Sequence, residues 1–282
     1  MTTITMPRKP RSKPLRSKYT AATADRHVLY QMAVQNVEAE IDFVDETYKI
    51  LRGRHALKLR EDFCGTGHTS REWVGRRRTN TAIGLDIDRA TLDWGLEHNI
   101  DPLPPATRSR VRLVNRDVLL PGRSGSRMDI VLAMNFSYWI FKTRETLREY
   151  FKSVRRSLVP GGIFFLDFYG GSEAYEVQRE DRKVGPFTYV WDQNWLDPLT
   201  NHMRCYIHFK FKDGSRMDRA FCYEWRLWSM PEIRELLAEA GFSNSTVYLE
   251  GDDDDEGGDG DFQPVEEGEV CAAWLAYIVA ER

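Results

Sequence analysis

The residues best suited to chemistry are a glycine turn, Cys64-Gly65-Thr66-Gly67, and two acids beyond it, Asp86 and Asp117. A glycine turn between a strand and a helix lets backbone N–H groups approach a ligand closely. An acid at the end of the next strand can accept both hydroxyls of a ribose. Asp86 stands 21 residues after Gly65, matching the ~20-residue offset of a nucleoside-binding α/β unit. Further along, Asp129 leads one apolar run and Pro160-Gly161-Gly162 precedes another. A dinucleotide site fits less well. Ser70 stands in the third glycine's place, and Cys64–Ser70 holds no Lys or Arg for a pyrophosphate. The sequence has no P-loop, no zinc-spaced His/Cys set and no G-x-S-x-G elbow. His68 and His98 are isolated and read as surface or packing residues. Asp129 reads as structural, because it begins its strand at the end opposite the ligand edge.

Elements must hold these residues at one edge. Asp25 and Asn36 look like N-caps of two helices, and Gly53 stops the second. Val37, Ile41, Val44, Tyr48 and Leu51 recur at four- and three-residue steps, an apolar helical stripe. Strands are expected at His55–Leu59, Thr81–Leu85, Val111–Val114, Asp129–Met134 and Ile163–Phe168, with helices following the first two and one at Thr143–Leu158. Short apolar strands alternating with helices imply a doubly wound parallel sheet. The pattern then changes. Phe187–Trp195, His202–Lys210 and Arg216–Trp225 are longer, aromatic and partly alternating, with turn residues between them. They predict an antiparallel meander inserted over 172–228. Ser229 caps a further helix, and Ser245–Leu249 and Ala272–Val279 follow as an antiparallel pair at the sheet edge.

The 282 residues are 41% hydrophobic and 29% charged, ordinary globular composition. The longest apolar runs, Ile130–Met134 and Ile163–Leu166, fall far short of the ~20 residues that cross a bilayer. No secretory signal is read, and four scattered cysteines suggest free thiols in a reducing, cytoplasmic setting. Charge is uneven. Six bases and no acid precede position 19, and eleven acids with no base fill 250–269. Taking that +6 and −11 from a net −3 leaves +2 for the rest. A nearly neutral body offers no broad basic face for nucleic acid. Residues 1–19 read as a disordered basic tail, through which RNA contact is conceivable but not favoured, and 250–269 as a flexible acidic loop without EF-hand spacing.

Taken together, these motifs resemble the class I S-adenosylmethionine-dependent methyltransferases. Leu59–Gly67 (LREDFCGTG) is similar to their first motif, Gly84–Asp88 (GLDID) to the ribose segment, Arg116–Val118 (RDV) to the adenine segment, and Leu158–Phe165 (LVPGGIFF) to the turn before strand five. The resemblance covers 25–170 and resumes at 229–282. It implies a Rossmann-like seven-stranded sheet whose last strand is antiparallel, the methyltransferase domain being 20–171 with 229–282. By that resemblance Glu61 lies near the ammonium of S-adenosylmethionine, Gly65 and Gly67 lie beneath its methionine and ribose, and Asp86 holds the ribose hydroxyls. Asp117 and the Val118 backbone hold adenine, and Asn135 faces the methyl-donor end. One position departs from the pattern: Phe63 replaces the first glycine of G-x-G-x-G.

The acceptor edge is expected beyond strands four and five, under the meander. Asn135, Tyr138 and Tyr169 are expected to position the acceptor, with Trp139 and Arg226 as further substrate contacts. Aromatic residues there favour a small-molecule amine by cation–π contact. An RNA or protein acceptor is the first alternative, and a non-catalytic S-adenosylmethionine-binding protein the second. Helices 25–51 are expected to cover the cofactor, 37–51 docked as core and 20–35 mobile until ligand binds. Tyr30 and Gln35 would supply a ring and an amide. No metal site is expected.

Overall fold

The computed structural model describes residues 19–253 and 257–282. The basic tail lies outside them but for its last residue. Two helices lead in. Asp25 accepts from the His27 and Val28 N–H groups at the start of α1 (Arg26–Ala33), and α2 (Val37–Arg52) ends on Gly53 in the left-handed conformation. Asn36 occupies the N-cap position of α2 but makes no side-chain cap bond. Val37, Ile41, Val44 and Tyr48 of the expected stripe are buried. Strand β1 (Lys58–Asp62) then alternates with α3 (His68–Arg76), β2 (Thr81–Asp86), α4 (Arg89–Gly95), the single-turn α5 (Pro105–Arg108), β3 (Val111–Asn115), β4 (Met128–Ala133), α6 (Arg144–Ser157) and β5 (Leu158–Gly170). A second group follows: β6 (Gln178–Val184), β7 (Phe187–Leu196), β8 (His202–Phe211) and β9 (Arg216–Arg226). Then come α7 (Met230–Glu239), β10 (Asn244–Asp253), β11 (Gly257–Val265) and β12 (Trp274–Glu281).

The main sheet runs β11-β10-β12-β5-β4-β1-β2-β3. Strands β1 to β5 pair in parallel, and β12 lies antiparallel to β5, with Tyr277 opposite Asp167. One face packs on α2 and α3 and the other on α6 and α7. Asp129 is indeed structural. Its carboxylate accepts from the Leu57 and Lys58 N–H groups at 3.0 Å and from Arg54 at 2.8 Å, clipping the start of β4 to the start of β1.

Two expectations need correction. The sheet has eight strands, not seven, because much of the acidic stretch pairs as β10 and β11 rather than forming a loop. Aromatic contacts supply the reason: Phe262 on β11 lies 4.4 Å from the Tyr277 ring, and Phe43 of α2 stacks on Tyr277 at 4.5 Å. One well-placed apolar residue outweighs a polar surrounding when its face is buried. The inserted sheet has four strands, not three. β6 carries charge at nearly every position and shows no apolar alternation.

Candidate active site

At the carboxyl edge of β1, β2 and β4 lies a cavity of about 300 Å³, the size and place expected of a ligand site in an open α/β sheet. Its floor is the glycine turn. Gly65 (φ +50°) donates its N–H to Asp86 at 2.8 Å, and the other Asp86 oxygen accepts from the Asp88 N–H at 2.8 Å. Burial nonetheless holds the Asp86 carboxyl above its usual range. Glu61, at the end of β1, accepts from both the N–H and hydroxyl of Ser70, at 2.8 and 2.5 Å. Burial raises its pKa to about 8. Phe63 takes the missing glycine's conformation (φ +56°), its ring edge-on to Phe141 and Tyr150. An L-residue held left-handed is costly, and aromatic packing sustains it here.

Asn135 and Phe136 leave β4 with consecutive left-handed backbones, φ +58° and +55°. Asp167 holds this turn: one carboxylate oxygen accepts from the Asn135 N–H at 2.5 Å, the other from Phe136 at 2.9 Å. Desolvation raises the Asp167 pKa to about 8. Sequence reasoning missed this residue. The available sign was a lone acid inside the otherwise apolar Ile163–Tyr169 run.

A second cavity of about 240 Å³ opens beside the first, between β5 and the inserted sheet. Both are lined by Tyr30, Asn135, Tyr223 and Trp225. The second adds Phe136, Tyr169, Tyr189 and Trp191, with Glu173 and Glu180. Helix α1 contributes His27 and Tyr30 to the wall of the first. Its cap Asp25 accepts from the Trp94 indole at 2.8 Å, Gln31 donates to Thr66 Oγ at 2.9 Å, and Trp94 stacks on His98 with ring centroids 4.2 Å apart.

Of the residues singled out in the sequence, Tyr30, Glu61, Gly65, Asp86 and Asn135 line the first cavity, Gln35 beside them, and Tyr169 lines the second. Gly67 (φ +66°) heads α3 instead; a Cβ there would meet Leu113 at 2.5 Å, so the glycine serves close packing. Asp117 lies outside both linings, accepting from the Leu119 N–H at 2.8 Å, and Val118 is 4% exposed in the core. Three substrate assignments are corrected. Tyr138 and Trp139 are fully buried, the tyrosine hydroxyl donating to the Asp167 carbonyl at 2.9 Å, so neither can touch an acceptor. Arg226 lies over Trp228 and pairs with Glu232 at 2.8 Å, away from both cavities. Residues after β4 turn back into the core, which strand-exit reasoning does not foresee.

Residues 62–166 match the methyltransferase domain family. No protein of curated function matches the sequence. Among solved structures, the fold is similar to an S-adenosylmethionine-dependent methyltransferase from Clostridium acetobutylicum (17% identity, 90% of this chain and 96% of that one, TM-score 0.66). It is also similar to S-adenosylmethionine-bound CalS10, an amino pentose methyltransferase from Micromonospora echinaspora (17%, 91% and 95%, 0.63). A third is the sugar N-methyltransferase KedS8 from a Streptoalloteichus species (15%, 100% and 99%, 0.60). At such identities the likeness concerns the fold.

Proposed function

We propose that this chain, which belongs to the class I S-adenosylmethionine-dependent methyltransferases, methylates an amine of a small molecule. The observation that carries the reading is that two cavities share Tyr30, Asn135, Tyr223 and Trp225. One has the polar strand-exit groups a nucleoside needs, and the other has an aromatic wall. In the first, Asp86 would hold the ribose hydroxyls, the Gly65 turn would lie beneath the methionine, and Glu61 would face its ammonium. The bound cofactor supplies a methyl group already activated by the sulfonium, so the protein's work is alignment and exclusion of water. Asn135 and the rings of Tyr30, Tyr223 and Trp225 form the passage between the chambers. Aromatic faces and the Glu173 and Glu180 carboxylates favour an amine over a neutral alcohol. Two neighbours of similar fold are described as acting on amino sugars or as sugar N-methyltransferases, which supports the same acceptor class.

Among the described residues no helix is long and apolar enough to cross a membrane. A cytoplasmic site is proposed from the four cysteines, all free in the structure. The test is a panel of small amines and matched alcohols, with S-adenosylhomocysteine release as the readout. Turnover with amines alone is expected. Turnover confined to alcohols, RNA or protein would overturn the acceptor assignment.

A further inference from the structure

Gln193 of β7 belongs to the lining of the second cavity, and it is fully buried. Its amide donates to the Ala174 carbonyl at 2.9 Å and to the Glu176 carbonyl at 2.5 Å. Its oxygen accepts from the Tyr169 hydroxyl at 3.3 Å. A glutamine amide has two N–H donors, so none remains for a ligand. Gln178, its cross-strand partner on β6, leaves the sheet on the same face and donates to the Glu173 carbonyl at 3.0 Å. Side by side, the two glutamines hold the carbonyls of Glu173, Ala174 and Glu176, in and just after the short turn Ser172–Tyr175 that follows β5. Tyr169 stands just before that turn, and Tyr169, Glu173 and Ala174 all line the cavity. β5 belongs to the main sheet and β7 to the inserted one. Gln193 therefore ties the two sheets together at the chamber itself. Ring packing tolerates several arrangements, whereas a fully satisfied buried amide specifies one.

We propose that Gln193 is a positioning residue for the methyl acceptor. By fixing the Tyr169 ring and the turn 172–176 against the inserted sheet, it sets the shape of the second chamber and hence acceptor binding, while the first cavity is left alone. The proposal rests on the reading of the second cavity as the acceptor chamber. Tyr169 then works through its ring, because its hydroxyl is directed at Gln193 and at Met203 Sδ. The turn keeps an anchor of its own, since the Glu173 N–H donates to the Ala272 carbonyl at 2.9 Å. Loss of the Gln193 bonds should loosen it without unfolding it.

Gln193→Leu, close in size but without the amide, tests this with whichever member of the amine and alcohol panel turns over best. The acceptor KM is expected to rise about fivefold or more, with kcat and S-adenosylhomocysteine affinity each within about twofold of wild type. Hydrogen exchange should quicken at 172–176 and stay unchanged at 64–70. Tyr169→Phe, which deletes only the hydroxyl, should raise the KM by about twofold. The double variant should then be no worse than Gln193→Leu alone, because the two substitutions break one shared bond. An unchanged KM in Gln193→Leu would overturn the proposal. So would an equal loss of S-adenosylhomocysteine affinity, which marks general damage to the fold, or effects of the two substitutions that multiply. Should Gln193→Leu not fold, Gln178→Leu frees one carbonyl of the same turn, and an unchanged KM there overturns the proposal instead. Should wild type turn over nothing in the panel, the acceptor reading falls, and unchanged exchange at 172–176 in Gln193→Leu would separately overturn the positioning role.

Discussion

The two chambers of the cleft are built by opposite means. The proposed cofactor side is a row of strand exits in the parallel sheet, where backbone N–H groups pair with carboxylates within one strand–helix–strand unit: Gly65 with Asp86, Ser70 with Glu61. The proposed acceptor side is assembled from distant segments, with Tyr169 of β5, Trp191 of β7 and Trp225 of β9 brought together by packing of two sheets. The first is local chemistry and the second is tertiary geometry. Substitutions on the two sides should therefore separate cofactor affinity from acceptor use.

The largest effect is expected on the cofactor side. Asp86→Ala removes a charged acceptor and strands the Gly65 N–H, so S-adenosylhomocysteine should bind more weakly by ~1.5–3 kcal/mol. Calorimetry checks this, and equal binding would break the contrast. Phe63 probes the turn beneath it. Both Phe63→Gly and Phe63→Ala lose the ring contacts, but only alanine keeps a Cβ in the left-handed conformation, so denaturant melts should find the glycine variant more stable by about 1 kcal/mol. On the acceptor side, Trp191→Leu should raise the acceptor KM by an amount on the order of 0.5–2 kcal/mol, with S-adenosylhomocysteine affinity unchanged.

Acidity sharpens the comparison further. Burial holds Glu40 at about 7 and Glu61 and Asp167 at about 8, whereas in the unfolded chain such groups titrate near ~4. Between those values the native state keeps protons that the unfolded state has lost, so stability falls as pH rises through that window. Tyr30 and Tyr277 also face Glu40 but stay protonated there, their hydroxyls pushed up by burial. Melting of the ligand-free protein at pH 5 and pH 8 reads the slope, and Glu40→Gln should make it shallower. His27 and His68, held below their ordinary value by burial, work the other way, so the deciding result is the difference between the two proteins: an equal slope in Glu40→Gln and wild type would contradict the burial of Glu40. The smallest expected effect is confined to one segment. Residues 20–35 should gain hydrogen-exchange protection when S-adenosylhomocysteine saturates the protein, while 37–51 should not change. No gain in 20–35 would make α1 a fixed wall rather than a cover.

How much of this was legible in the sequence follows the same division. The glycine turn and Glu61 could be read because a strand, a tight turn and a helix fix their relation within a few residues, and the alternation of strand and helix brings Asp86, 21 residues after Gly65, to the same edge. The parallel pairing of β1 to β5 followed from the same alternation, and the reversed β12 from the resemblance to class I methyltransferases. The sequence could not show that Tyr138 and Trp139 turn inward, because nothing local to the β4 exit reveals that Asp167, 32 residues after Asn135, clamps it in a left-handed turn. Nor could it show β11, whose pairing depends on Phe262 meeting Tyr277 and Phe43 across the sheet. Local periodicity and turn chemistry act over one or two turns of chain, so the sequence by itself determined the elements and the sheet edge at which the glycine turn lies. Burial of a side chain depends on what arrives from elsewhere, and only the tertiary structure decided which aromatic rings line the second cavity and which fill the core.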